Sequence, residues 1–299
     1  MNSRNALRPA FAVLASIALV ALTLAGCAAP LQIEAAADPL AILEPGALAY
    51  ARMSGRVALE LLPSALPPAA AKSLAPLLAR TRLLAIGIGG TGALYAGAPL
   101  APNLQACLIG DYPFRAASLS LGSEPGWKRE KIGYFNSGLG LRAAVPGPNL
   151  VLASTGPLEP LLAAAKSPGA SPIPRRLEAL ASRELALWLP DPFSRLAAAI
   201  LGEAMDVPAL GILIAASPRG KAPDADYDAT VVFLMKDADS ARIFRPALRL
   251  AWYAIARGLL GAEEGLGAVF VLDGDMYRAS GIVLGSKDLA RAIVFLRGS

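Results

Sequence analysis

The chain has 299 residues, enough for one large domain or two smaller ones, and is 55% hydrophobic and 17% charged; that composition builds a core and excludes a disordered chain. Its formal charge is +5, from 28 basic and 23 acidic residues spread along the sequence, and without a basic block interleaved with aromatics a nucleic-acid partner is excluded. It holds no histidine and only two cysteines, Cys27 and Cys107, which excludes histidine-dependent triads, Cys–His pairs and histidine-bound zinc or haem.

Residues 1–26 read as a signal peptide. Arg4 and Arg8 form a positive start, an uncharged apolar run extends from Ala10 to about Leu22, and small residues follow. The run is near the lower limit for a spanning helix and has no basic stop signal after it, so a retained anchor helix is the runner-up. Without Arg4 and Arg8 the remainder carries 26 basic and 23 acidic residues, or +3.

Leu24-Ala25-Gly26-Cys27 resembles the lipobox of bacterial lipoproteins, and the resemblance covers only the leader and Cys27. It implies cleavage between Gly26 and Cys27, a diacylglyceryl group on the Cys27 thiol, and acylation of the freed amine by a chain such as palmitate. Two or three chains anchor durably where one does not, each buried methylene contributing about 0.8 kcal/mol. The location implied is the periplasmic side of the cell envelope, on the outer membrane or the outer face of the inner one. Ala28 is not the aspartate that retains some lipoproteins in the inner membrane.

Residues 27–45 are rich in Ala and Pro and read as a lipidated tether, reaching no more than roughly 60 Å when extended. Residues 46–167 form a first half. Ala47–Met53 is a strand, Ser54 caps a helix through Leu62, and prolines 63, 67 and 68 separate it from a second helical piece ending at Arg80. Strands follow at Leu83–Ile88, Ala93–Gly97 and Leu104–Ile109. A meander of Arg129–Phe135, Leu139–Val145 and Leu150–Ser154 leads to a helix at Pro157–Lys166.

The Pro-rich stretch 167–174 marks the boundary with a second half, residues 168–299. Its strands are Leu185–Leu189, Leu210–Ala216 and Tyr227–Met235, with a helix at Pro192–Met205 after the first. A long helix from Asp239 to about Leu260 is expected to bend or restart at Pro246. Val269–Leu272 and Met276–Leu284 pair around Asp273-Gly274, and Ser286 caps a last helix through Phe295. The fold class is α+β, with mixed or antiparallel sheets and packed helices. Both halves read strand–helix–strand–strand–helix–hairpin–helix, which suggests a tandem duplication within what is one domain or two.

Candidate sites are few. Gly87-Ile88-Gly89-Gly90-Thr91-Gly92 matches a dinucleotide fingerprint as a string, but strand-like residues ending in Pro99 follow where a helix is needed. Asp224, Asp226 and Asp228 have calcium-loop spacing without the glycine and distal glutamate of such a loop. Asp273 and Asp275 belong to their turn. Arg242, Arg245, Arg249 and Arg257 share one side of the long helix, with Ile243, Phe244, Leu248, Trp252 and Ile255 mostly on another; this stripe suits a membrane surface or a solvated face. Trp127, Trp188 and Trp252 read as core before groove. Cys107, in the apolar run Ala106–Ile109, reads as a small buried hydrophobe.

No residue is assigned a catalytic, cofactor or metal role. The expectation is an envelope lipoprotein, leaning non-enzymatic, whose partners are membrane lipid through acylated Cys27 and an envelope protein or small apolar ligand. A hydrolase using carboxylates, and a carrier of an apolar molecule, are the alternatives.

Overall fold

The computed structural model describes residue 31 and residues 38–65, 68–89, 103–113, 126–138, 140–193, 207–220, 226–257 and 267–290. The expected signal peptide, Gly26 and Cys27, the Ala93–Gly97 strand, Asp224, and most of the Pro192–Met205 helix lie outside them.

Strand β1 (Ala49–Ser54) is followed by helices α1 (Gly55–Ala65) and α2 (Pro68–Leu78), then by β2 (Thr81–Gly89) and β3 (Asn103–Gly110). The Val57 N–H donates to the Ser54 hydroxyl at 3.3 Å, the cap expected from sequence. Pro63 lies within α1 and does not end it. Only its own N–H is missing there, in the last turn. Pro68 instead opens α2, the helical position that needs no N–H.

The expected single strand Arg129–Phe135 is two short ones, β4 (Trp127–Arg129) and β5 (Tyr134–Asn136). Gly133, at φ +71°, turns the chain between them, a conformation costly to other residues. Then come β6 (Leu141–Gly147), β7 (Leu150–Ser154) and helix α3 (Glu159–Lys166). After the Pro-rich boundary, a 3-10 turn at Arg175–Leu177 runs into the short α4 (Glu178–Ala181).

The second half contributes β8 (Leu185–Pro190), β9 (Ala209–Pro218), β10 (Tyr227–Met235), helix α5 (Ala238–Ile255), β11 (Val269–Asp273) and β12 (Met276–Leu284). Asp237 caps α5, accepting the Ser240 N–H at 2.7 Å, and that bond holds its carboxyl below the usual range. The helix runs through Pro246 without the expected restart. Pro246 is exposed, so the carbonyl that loses its partner is left facing water. The last helical run starts at Ser286, but its cap is Gly285, whose N–H donates to the Asp288 carboxylate at 3.0 Å.

All the described strands join one twelve-stranded sheet, in the order β11-β12-β10-β9-β8-β1-β2-β3-β7-β6-β5-β4. Every described pairing is antiparallel, so the mixed option falls away, and a single sheet replaces one per half. Counted outward from the β1·β8 pair, one half runs β1-β2-β3-β7-β6-β5-β4 and the other β8-β9-β10-β12-β11, so the first five positions correspond and β5 and β4 are additional.

Both faces of the sheet are covered. On one, Val57, Ala58 and Leu61 of α1, Leu78 of α2, and Ala241, Leu248 and Trp252 of α5 pack on Met53, Leu84, Ile212, Val231 and Phe233. On the other, Leu161 and Ala165 of α3, with Leu177 and Ala181, pack on Tyr50, Ala85, Cys107, Trp188, Leu213 and Val232. A 3-10 turn at Pro39–Ile42 adds fully buried Leu40 and Ile42 to this second layer. The chain from Asp38 onward thus belongs to the body and not to the expected tether. Leu31 is docked too: its N–H donates to the Pro146 carbonyl at 2.9 Å.

The ring of Trp188 lies across Gly211 of the neighbouring strand, where an added Cβ would come within 2.1 Å of it. Replacing Gly211 by Val is predicted to lower stability by about 1–3 kcal/mol, the range for overpacking a filled core. Urea unfolding followed by tryptophan fluorescence checks this; an unchanged midpoint would show that the ring can move aside freely.

Candidate functional site

Helix α5 presents two different surfaces. Ala241, Leu248 and Trp252 are buried, and Phe244 and Ala251 partly so. These positions repeat at helical spacing and dock the helix on the sheet. Arg242, Arg245, Arg249 and Arg257 are exposed, as the sequence stripe required. Ile243 departs from expectation: it is 68% exposed, as is Leu250 seven residues on, so both stand on the outer surface.

The arginines differ in what they touch. Arg242 pairs with Asp239 at 3.0 Å, with both side chains largely exposed, a contact worth little in water. Arg249 is held: its Nε donates to the Tyr253 hydroxyl at 3.0 Å. Its guanidinium lies 5.7 Å from the Tyr253 ring centre and 5.2 Å from that of Phe270 in β11. The bond to Tyr253 raises the Arg249 pKa above the ordinary arginine value. Phe270 in turn stacks on buried Tyr277, with ring centres 5.4 Å apart. The stripe is thus joined through Arg249 to the β11–β12 hairpin.

That hairpin turns at Gly274-Asp275, one residue later than the expected Asp273-Gly274. Gly274 has φ +59° and Asp275 has no positive φ, which is the II′ arrangement with glycine first. Asp275 also ion-pairs with Arg176 and offers its carbonyl to the Met235 N–H at 2.9 Å, so it fastens the hairpin as well as turning it. Strand β11 is the outermost of its half among the described residues. Val269, Val271 and Leu272 on it are 61%, 48% and 37% exposed.

Other sequence candidates are absorbed by structure. Strand β3 returns antiparallel to β2, Gly89 opposite Asn103, whereas a dinucleotide fingerprint sits in a parallel βαβ unit. Asp228 bonds Arg219 at 2.7 Å, and the Asp226 carbonyl accepts the Arg219 N–H, across the β9–β10 connection. Trp188 and Trp252 are buried, and Trp127 is half-buried on β4.

Cys107 is fully buried, and loss of hydration, with a smaller contribution from Asp38, pushes its thiol up to about 12. An open depression of about 490 Å³ beside β5 and β6 is lined by Glu130, Lys131, Ile132, Arg142, Leu158 and Glu159, among others. Glu130 is engaged there by Arg142 at 3.0 Å, and Arg142 also covers the Phe135 ring at 4.7 Å. These contacts tie β5 to β6.

Sequence reasoning found the arginines and the Val269–Leu272 strand, set Ile243 on the side away from the arginines, and missed Leu250 and Tyr253. The available signals were the seven-residue spacing of Ile243 and Leu250 on the arginine side and the four-residue spacing of Arg249 and Tyr253.

No family model matches the chain, and no curated protein matches it. Solved structures do. Crystal form IV of TP0453 superposes with a TM-score of 0.60 at 15% identity, covering 87% of this chain and 98% of the other. Crystal forms III and I give 0.62 and 0.61 at 16% and 17% identity, over 87% and 88% of this chain and 99% of each partner. At such identity the likeness is one of fold.

With its thiol pKa raised by burial, Cys107 carries little thiolate in mildly alkaline buffer. Ellman's reagent is therefore predicted to leave it unmodified in the folded chain and to react promptly once urea unfolds it. Rapid reaction of the native protein at this cysteine would contradict the burial.

Proposed function

We propose that the chain is a non-enzymatic lipoprotein of the bacterial cell envelope, anchored through acylated Cys27 and binding a partner protein with α5 and β11. One observation carries the binding half of this reading. The exposed large hydrophobics among the described residues are Leu59, Leu210, Ile243, Leu250, Val269, Val271 and Leu272, and the last five lie on α5 and β11. Ile243 and Leu250 stand on the outer surface of α5 and Val269 and Val271 on the far side of β11, two elements joined through Arg249 and Phe270, and exposed apolar side chains at this end of the sheet support contact with a partner. The arginines alongside give it a polar rim, as contact surfaces have.

The anchoring half is supported by Leu24-Ala25-Gly26-Cys27 standing at the end of an apolar run. Leu31 is docked beside Pro146, so four residue steps from Cys27 span at most about 14 Å. Lipid on Cys27 would therefore hold the β6–β7 turn close to the bilayer. Strand β11 lies nine strand positions from β6, up to about 43 Å away at the usual strand spacing. An anchor at one end of the sheet leaves the other end open to a partner.

We further propose that the two halves arose by tandem duplication. It is supported by the matching outward order from β1 and from β8. In each half, the second and third strands are neighbours and a late hairpin supplies the fourth and fifth.

Labelled palmitate is predicted to enter the wild-type protein in growing cells and not the Cys27→Ala variant; equal labelling refutes the anchor. Substituting Ser for both Ile243 and Leu250 is predicted to abolish chemical crosslinking to an envelope protein while leaving the melting temperature within about 2 °C, as surface changes do. Undiminished crosslinking would place the contact surface elsewhere.

A further inference from the structure

The two edges of the sheet are finished differently. Strand β4 is three residues long and carries exposed Lys128 and Arg129, the short, charged edge that discourages strand pairing. Strand β11 has five residues, Val-Phe-Val-Leu-Asp, with no lysine, no proline and no break in its register with β12. Among the described residues no strand lies beyond it, and its one charge, Asp273, is paired with Arg278 on β12.

The register states which backbone groups it offers. Asp273 and Met276 close a two-residue hairpin, so the hydrogen-bonded pairs run Asp273–Met276, Val271–Arg278 and Val269–Ser280. The N–H and C=O groups of Phe270 and Leu272 therefore point to the free edge. Side chains alternate across this edge. Phe270 shares its side with Arg249 of α5, with Arg245 one turn away, while Val269 and Val271 face the opposite side and are exposed.

We infer that β11 takes an extended polypeptide segment as an added strand, one whose alternate side chains are acidic toward α5 and apolar toward Val269 and Val271. This deepens the partner-binding reading above and rests on it. Main-chain hydrogen bonds to Phe270 and Leu272 supply the affinity, and the alternation supplies the choice of partner. Arg249, already fixed over Phe270 and bonded to Tyr253, meets a carboxylate without first having to be ordered. A second copy of this chain fits less well. Antiparallel pairing of β11 with itself would bring two Arg249 side chains to the same side of the new ladder, and like charges there repel.

The test uses the intact chain and a fluorescent peptide of about nine residues in which valine alternates with glutamate, with a valine–lysine peptide beside it. The glutamate peptide is expected to bind saturably and at least about tenfold more tightly than the lysine peptide, and Arg249→Gln to narrow that ratio. Leu272→Pro removes an N–H that faces outward, which an edge strand tolerates, and is expected to weaken binding at least about tenfold with melting unchanged. Should that variant unfold, amide exchange of the wild-type chain decides instead. The Phe270 and Leu272 amides must slow at least about tenfold on adding peptide. The inference is overturned by absent binding, by equal binding of both peptides, by unchanged exchange, or by a dimer that Leu272→Pro dissolves. If crosslinking still depends on Ile243 and Leu250 while no peptide binds, the surface reading stands and strand addition alone fails.

Discussion

Strands β1 and β8 lie side by side at the centre of the sheet, Tyr50 opposite Trp188 and Met53 opposite Leu185. Among the described residues, their antiparallel pairing is the only place where the two halves of the chain share a ladder. Polar side chains lock its end: the Ser54 N–H donates to the Glu184 carbonyl at 2.8 Å, and the Ser54 hydroxyl to the Glu184 carboxylate at 2.5 Å. Arg52 reaches the carbonyls of Ala181 and Arg183 at 3.2 and 3.3 Å. Without this seam each half would present an open strand edge of buried, apolar composition, which water would not tolerate and another chain would fill.

A sheet this wide has two large faces, and both must be covered. The helices are divided accordingly, with α1, α2 and α5 on one side and α3, α4 and the Leu40 turn on the other. Trp252 and Leu248 of α5 are fully buried against the sheet, the leucine alone contributing about 1.5–3 kcal/mol relative to exposure. That docking leaves the helix's outer surface free, and Ile243 and Leu250 on it are not needed for the core. The same division leaves the two edge strands to be handled separately. One is short and charged; the other is apolar and flanked by Arg249. The surface assigned to a partner is therefore what remains once the core's requirements have been met.

Much of this was legible in the sequence, and the misreadings have physical causes. The strand at Tyr227–Met235 was legible because its β-branched and aromatic run is bounded by turn residues. Its alternation fades after Ala229 because Val231 and Phe233 enter one core while Val232 and Leu234 enter the other. Pro63 and Pro246 misled because a proline in an exposed or final turn removes one bond and need not stop a helix. The Leu40 turn was hidden in an Ala-rich stretch whose apolar residues are too few to show a period, though three of them are buried. The arginine stripe was visible from spacing alone. The outward direction of Ile243 was not, because only the packing of Leu248 and Trp252 sets the rotation of the helix.

The reading proposed for this fold is a protein-binding surface on α5 and β11. Photo-crosslinking inside intact cells tests it most directly, with p-benzoylphenylalanine in place of Leu250 or, as a comparison, of Leu59, which is 41% exposed on α1. The account predicts a discrete adduct with another polypeptide from position 250 and none from position 59. Adducts of equal yield from both positions, or none from 250, would contradict it.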